Sequence, residues 1–338
     1  MSTQRILSIS PHGSLTSGLI ELACAGILFA TVSAGPAFSQ HYPVRPIRIV
    51  DGFPPGGGTD TLSRTVAQYL SESWKQQVVV DNRVGASSNL GAQIASKANP
   101  DGYTLFMGLI GVLAPSKALY PNLEYNLLSD FVPVIKVASG IYVMLTSVAL
   151  PVKSVQQLIA YGKRSQGDLR YSSAGIASPA HLAGELFNLK ANIKMLHVPY
   201  KGGAAAVGAI ASGEVQISFS SVPAALPLVT SGKALALAVT PKRTNALLGV
   251  PTIAESGLPG FGLTLSYGLL APTGTPRPII GKLNAEIGRI LRMAVVENRL
   301  SSLGLEPDPS TPEQFAKIIK DEVELWADVI REAKILTR

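Results

Sequence analysis

The sequence predicts an α/β protein built as two α/β units, the first a parallel sheet with crossover helices. Two observations carry this. Short apolar, β-branched runs alternate with segments whose apolar residues recur at helical spacing. The alternation stops near Pro151 and starts again, so the chain of 338 residues divides in two.

In the first unit, Ile47 to Val50 reads as a strand and Pro54-Pro55-Gly56-Gly57-Gly58 as a turn. A helix follows on Leu62, Val66 and Leu70, with Thr59 or Asp60 able to cap it. Val78 to Val80 is a strand, Gly85 to Asn89 a loop, Gly91 to Ala98 a helix and Tyr103 to Met107 a strand. A further strand runs from Ile141 to Leu150. In the second unit, strands are expected at 169–172, 195–198, 217–220 and 234–239. Helices are expected at 155–161, 180–189, 204–211 and after Pro223. After a strand at 266–270, two long helices present the faces Ile280, Leu283, Ile287, Ile290, Leu291 and Phe315, Ile319, Val323, Trp326, Ile330. Thr311 can cap the second, and both helices are expected to return to the first unit.

Composition narrows the function. Charged residues make up 15% and apolar residues 46%, which is a folded composition. The net charge is +7, but Lys and Arg are scattered, so no nucleic-acid arm is expected. The N-terminus reads as an export signal over 1–39. Arg5 precedes the apolar stretch Leu19 to Val32, and Ala37-Phe38-Ser39 suits cleavage before Gln40. The single cysteine, Cys24, lies in this leader, and Glu21 three residues before it argues against lipidation. The mature chain then has no thiol, disulfide or Cys-ligated zinc. No metal-site motif or cofactor signature is present, so neither a metal nor a cofactor is expected.

The loops after the strands hold the candidate chemistry. Phe53, Gly56, Gly57, Gly58, Thr59 and Asp60 form a glycine-rich turn leading into a helix. Such a turn can aim several N–H groups, and the helix's positive end, at a carboxylate. Gly85, Ala86 and Ser87 form a second loop at the same sheet edge. Ser178 and His181 start a helix in the second unit, and Gly202, Gly203 and Ala204 repeat the glycine logic there. A hydrolase using a serine with His181 is the alternative. No Gly-x-Ser-x-Gly elbow supports it, and no catalytic residue is expected.

Six motifs in order, PPGGGTD (54–60), NRVGAS (82–87), ANPDGYTL (98–105), SPAHLAGELF (178–187), VPYKGG (198–203) and VPTIAESGLPGF (250–261), give the chain a family resemblance from about Tyr42 onward. It resembles the periplasmic solute receptors of tripartite tricarboxylate transporters, the Bug family. The resemblance implies a type II periplasmic-binding-protein fold, with two α/β lobes joined by crossover hinge strands and a ligand cleft between them. It implies lobe 1 from 40–145 and 262–338, and lobe 2 from 146–261. It implies a small carboxylate ligand, either a di- or tricarboxylate or an aromatic acid, held largely by main-chain groups of the first loop. It also implies membrane permease subunits or a sensor kinase as partners of a monomeric, non-enzymatic receptor. Three positions depart from the family pattern. Gly85-Ala86-Ser87-Ser88 stands where Gly-Ala-Gly-Gly is usual, Tyr267 where tryptophan is common, and Asn126 where an acidic residue is usual. Tyr267 joins the expected ligand wall.

Overall fold

The structure is a computed structural model that describes residues 42–335 apart from 121, 166, 177, 264 and 303; the predicted leader lies outside the described residues. The first sheet starts with β1 (Ile47–Asp51), whose Ile47, Ile49 and Val50 are buried, as a strand covered on both faces requires. α1 (Gly58–Trp74) crosses to β2 (Val78–Asn82), and α2 (Asn89–Ser96) crosses to β3 (Thr104–Leu109). β2, β1 and β3 are parallel, as expected from the alternation. The short helices α3 (Ile110–Leu113) and α4 (Ser116–Leu119) precede β4 (Phe131–Gly140).

The chain leaves this sheet at Gly140. One residue later, β5 (Tyr142–Ser147) belongs to the second sheet. There α5 (Val155–Arg164), β6 (Arg170–Ser173), α6 (Pro179–Ala191), β7 (Leu196–Pro199), α7 (Gly203–Ala211), β8 (Ile217–Ser221), α8 (Val222–Thr230) and β9 (Ala234–Thr240) follow in turn. The strand order is β7-β6-β8-β5-β9. β6, β7 and β8 are parallel, while β5 runs antiparallel to its neighbours β8 and β9. The chain then returns through β10 (Leu265–Pro272), which inserts antiparallel between β3 and β4. Both sheets are therefore mixed: β5 and β10, the strands by which the chain enters each sheet from the other, run antiparallel to both their neighbours.

The end of the chain comprises α9 (Arg277–Leu291), α10 (Ala294–Ser302), β11 (Leu305–Pro307) and α11 (Pro312–Glu332). α9 packs on β4 and α1, as expected. α11 packs on β4 and also on α6 of the second unit, so it ties the two sheets together. Its apolar face, including Phe315, Ile319, Trp326 and Ile330, enters one cluster with Phe106 of the first sheet and Phe187 of the second unit. Burying each such side chain contributes roughly 1.5–3 kcal/mol. Thr311 caps this helix in a reciprocal box with Gln314.

Two buried polar groups bear on this junction. Glu322 of α11 accepts a hydrogen bond from Ser266 Oγ of β10 (2.9 Å). Burial pushes its carboxyl up to about 8. Lys136 of β4 is buried against Asp308, with Nζ to Oδ2 at 2.7 Å, and Asp308 also accepts from Ser139 Oγ.

Candidate functional site

α1 begins at Gly58 with Gly57 as its N-cap. Neither Thr59 nor Asp60 caps it, contrary to the expectation from sequence. Both lie inside the first turn and face other groups. The Thr59 hydroxyl hydrogen-bonds the Asp51 carboxylate. Asp60 reaches back to accept from the Gly56 N–H (2.9 Å), and it also accepts from Arg64 Nε and Asn82 Nδ2. Because a glycine N-cap has no side chain, no side-chain cap bond forms at this end. The amides of the first helical turn precede the first i−4 carbonyl and lack intrahelical partners. Gly58, Thr59 and Asp60 thus present an uncapped positive helix end.

The rest of the loop is braced from within. The Phe53 N–H donates to Asp51 Oδ1 (2.9 Å), and the Gly57 N–H to the Pro54 carbonyl (3.3 Å). Ser63 Oγ donates to Asp51 Oδ2 (2.7 Å). Asp51 is raised above the usual carboxylate range, chiefly by burial, which outweighs these hydrogen bonds. Asp60 lies below it: burial acts to raise it, but the hydrogen bonds from Arg64, Gly56 and Asn82 prevail. The amides of Phe53, Gly56 and Gly57 are therefore committed to the loop's own shape, which aims the first turn of α1.

A cavity of about 280 Å³ opens beside that turn, where the chain crosses between the sheets. From the first sheet's side it is lined by Gly56, Gly57, Gly58, Thr61, Leu265, Tyr267, Gly304 and Leu305. Gly140 and Ile141 of the crossing join them, and Ser221 and Pro223 face them at the start of α8. The two sides touch at Gly304, where a Cβ would come within 2.5 Å of the Pro223 ring. Tyr267 is 8% exposed, and its hydroxyl oxygen lies 3.7 Å from where a Cβ on Gly58 would stand. Burial pushes that phenol up to about 12, so it remains a donor throughout the neutral range.

Of the residues singled out from sequence, the structure brings Gly56, Gly57, Gly58 and Tyr267 to this cavity. Thr59 and Asp60 belong to the same turn with buried side chains facing away. Gly85, Ala86 and Ser87 do not line it. Ala86, Ser87 and the following Ser88 hold φ of 46°, 55° and 74°, a left-handed run that costs L-residues strain. Ser88 is buried there against Gly52, where any Cβ would collide with the Ser88 hydroxyl. Gly202, Gly203 and Ala204 are exposed at the start of α7, outside the cavity.

Ser178 caps α6, its Oγ accepting from the His181 backbone N–H (3.3 Å). The His181 ring is 6% exposed and stacks on His197 with centroids 3.9 Å apart. Tyr171 stacks on His197 and donates its OH to Glu185 (2.6 Å). Burial lowers His181 to about 4, and burial with the His181 charge lowers His197 to about 3. His197 pairs with Ser173 Oγ at 2.6 Å, and that hydroxyl is also tied to Gly175 O and N. These groups brace the lobe interior.

Sequence reasoning missed Ser221. It is the N-cap residue of α8, yet its side chain makes no cap bond. The signal in the sequence was a serine at the end of a strand directly before a Val-Pro helix start.

Two sheets with crossover helices, joined by crossing strands and with a cavity at the crossing, define a two-lobed solute-binding protein. The model of the tripartite tricarboxylate transporter family receptor matches residues 62–335, and the chain belongs to that family. Protein BugT of Bordetella pertussis is 37% identical over 314 residues, covering 92% of this chain and 96% of its own. Rpa4515 of R. palustris, solved with adipate, is 34% identical with a TM-score of 0.74, covering 88% of this chain and 100% of its own. MatC of Rhodopseudomonas palustris, solved with bound malate, is 31% identical with a TM-score of 0.70, covering 86% of this chain and 100% of its own. Members of the family are periplasmic binding proteins, and this chain is, like them, a solute receptor and not an enzyme. The serine–histidine hydrolase reading is thereby set aside. Among the described residues no helix is long and apolar enough to cross a membrane.

Proposed function

We propose that this receptor, exported by its leader and cleaved near Ser39, captures a small carboxylate in the periplasm. The ligand class is that of di- and tricarboxylates or aromatic acids. The receptor then presents its cargo, as a monomer, to the permease subunits of a tripartite tricarboxylate-type transporter or to a sensor kinase. One observation carries this reading: the uncapped first turn of α1 opens onto the cavity at the lobe crossing, beside the buried Tyr267. A helix end with free amides stabilises a carboxylate without a mobile counter-charge. Relatives solved with adipate and malate support the choice of ligand class.

The lobes belong to the same proposal: 40–145 with 262–338 as one, and 146–261 as the other. The first boundary moves back to Ile141, in keeping with the pairing of β5 in the second sheet. Closure would bring the remaining loops, Gly85 to Ser87, Ser178 with His181, and Gly202 to Ala204, around the ligand's outer side. The test is calorimetry on the mature protein with C4 to C6 di- and tricarboxylates, aromatic acids and pyridine acids. Saturable binding of at least one acid is expected. Heats no larger than dilution across the whole panel contradict the reading.

A further inference from the structure

The two ends of the cavity differ in what they can neutralise, and the difference bears on the ligand's charge. At the α1 end, three first-turn amides are uncapped. At the α8 end, the positive pole is largely used up. The Val222 N–H donates to the Ile141 carbonyl (3.2 Å), and Pro223 has no N–H to offer. No Lys, Arg or His lines the cavity. Apart from glycines and three hydroxyl-bearing residues, its wall is Ile141, Pro223, Leu265 and Leu305.

Three hydroxyls line this space, and one is already committed. Thr61 Oγ1 donates to the Gly57 carbonyl (3.0 Å). The hydroxyls of Tyr267 and Ser221 have no hydrogen-bond partner among the described residues, and Tyr267 is more than nine-tenths buried. The Tyr267 ring is buried while its hydroxyl opens to the cavity without a protein partner among the described residues, so it is available to a ligand.

Resting on the carboxylate-receptor reading, we infer that the cavity is built for a singly charged acid bearing a neutral polar group, with Tyr267 and Ser221 as its specificity-determining residues. The single carboxylate lies across the α1 amides and the Tyr267 hydroxyl. The ligand's hydroxyl, at its far end, meets Ser221 from the other lobe. A second carboxylate would stand against apolar side chains and a hydroxyl, with no cation and few amides to compensate it. The volume suits this: it equals that of about nine water molecules, a small ligand's space.

The test uses matched probes of equal carbon count on the mature protein: 4-hydroxybutyrate against succinate, 6-hydroxyhexanoate against adipate, and 4-(hydroxymethyl)benzoate against terephthalate. In the pair that binds, the hydroxy-monoacid is expected to bind about tenfold or more tightly than its diacid. Ser221→Ala and Tyr267→Phe, each with an unchanged melting temperature without ligand, are expected to weaken the monoacid by about tenfold per hydroxyl and to erode the preference. A diacid that binds as tightly as its monoacid partner overturns the inference and leaves the carboxylate receptor standing. Hydroxyl-free variants that bind the monoacid as well as the parent also overturn it. If no acid of any charge binds, the receptor reading fails, and this inference with it.

Discussion

Ser178 and Ser221 occupy the same structural position, the residue before the first turn of a helix in the second lobe, and their hydroxyls have opposite fates. Ser178 accepts the His181 N–H and closes the end of α6. Ser221 leaves α8 without a side-chain cap and turns to the cavity. The difference follows from what else serves each helix start. At α8 the Val222 N–H finds the Ile141 carbonyl, and Pro223 has no donor to satisfy, so the serine is not needed as a cap. A serine at a helix start is therefore a ligand candidate only when the helix can do without it.

Substitutions at three helix starts sharpen this contrast. The largest effect is expected at α1. Gly58→Pro places proline at the first helical position, where the helix tolerates it, and Gly57 already holds the extended backbone (φ −76°, ψ 173°) that a following proline requires. The variant is expected to melt close to the parent yet lose roughly 10- to 100-fold in carboxylate affinity, the worth of one amide bond to a charged group. Calorimetry and thermal melts read both. Next is the histidine stack that braces the capped end. His181 and His197 have folded pKa values far below the unfolded value, so the unfolded chain takes up protons first as the medium is acidified. Their contribution to stability is complete above about pH 6.5 and is lost as pH falls from there toward 4 and 3. Denaturant melts should show a loss of about 2 kcal/mol per histidine between pH 7 and pH 5, reduced when both are replaced by Asn. The smallest effect separates the two serines. Ser178→Ala is expected to cost about 1 kcal/mol of stability, whereas Ser221→Ala should stay within about 0.5 kcal/mol of the parent.

Much of the fold was legible from local pattern. β1 to β3, α1 and the faces of α9 and α11 follow from periodicity, because each buries a stripe that the sequence displays. β4 was not legible. It carries Pro133, which reads against a strand, and Lys136, which reads against a core. Pro133 is accommodated because β11 pairs only with Ala138 to Gly140, leaving that stretch of β4 at the sheet edge. Lys136 is buried because Asp308 arrives from far along the chain. Both reasons are non-local.

The candidate site divides in the same way. The glycine turn before α1 was readable as a place where amides converge, but its uncapped start was not, because Thr59 and Asp60 both read as caps and the helix begins after Gly57 instead. Which of its amides remain open was not, because Asp51 and Asp60 engage those of Phe53 and Gly56 through side-chain geometry. Ser221 was hidden by the ambiguity between cap and ligand contact, which only the Val222 and Pro223 environment resolves.

The most direct measurement is a crystal structure of the mature protein with a bound acid. The account places a carboxylate within hydrogen-bond distance of the Gly58 and Thr59 amides and the Tyr267 hydroxyl. An acid seated instead on the Gly202 to Ala204 turn or beside His181, with the first turn of α1 left to water, would contradict it.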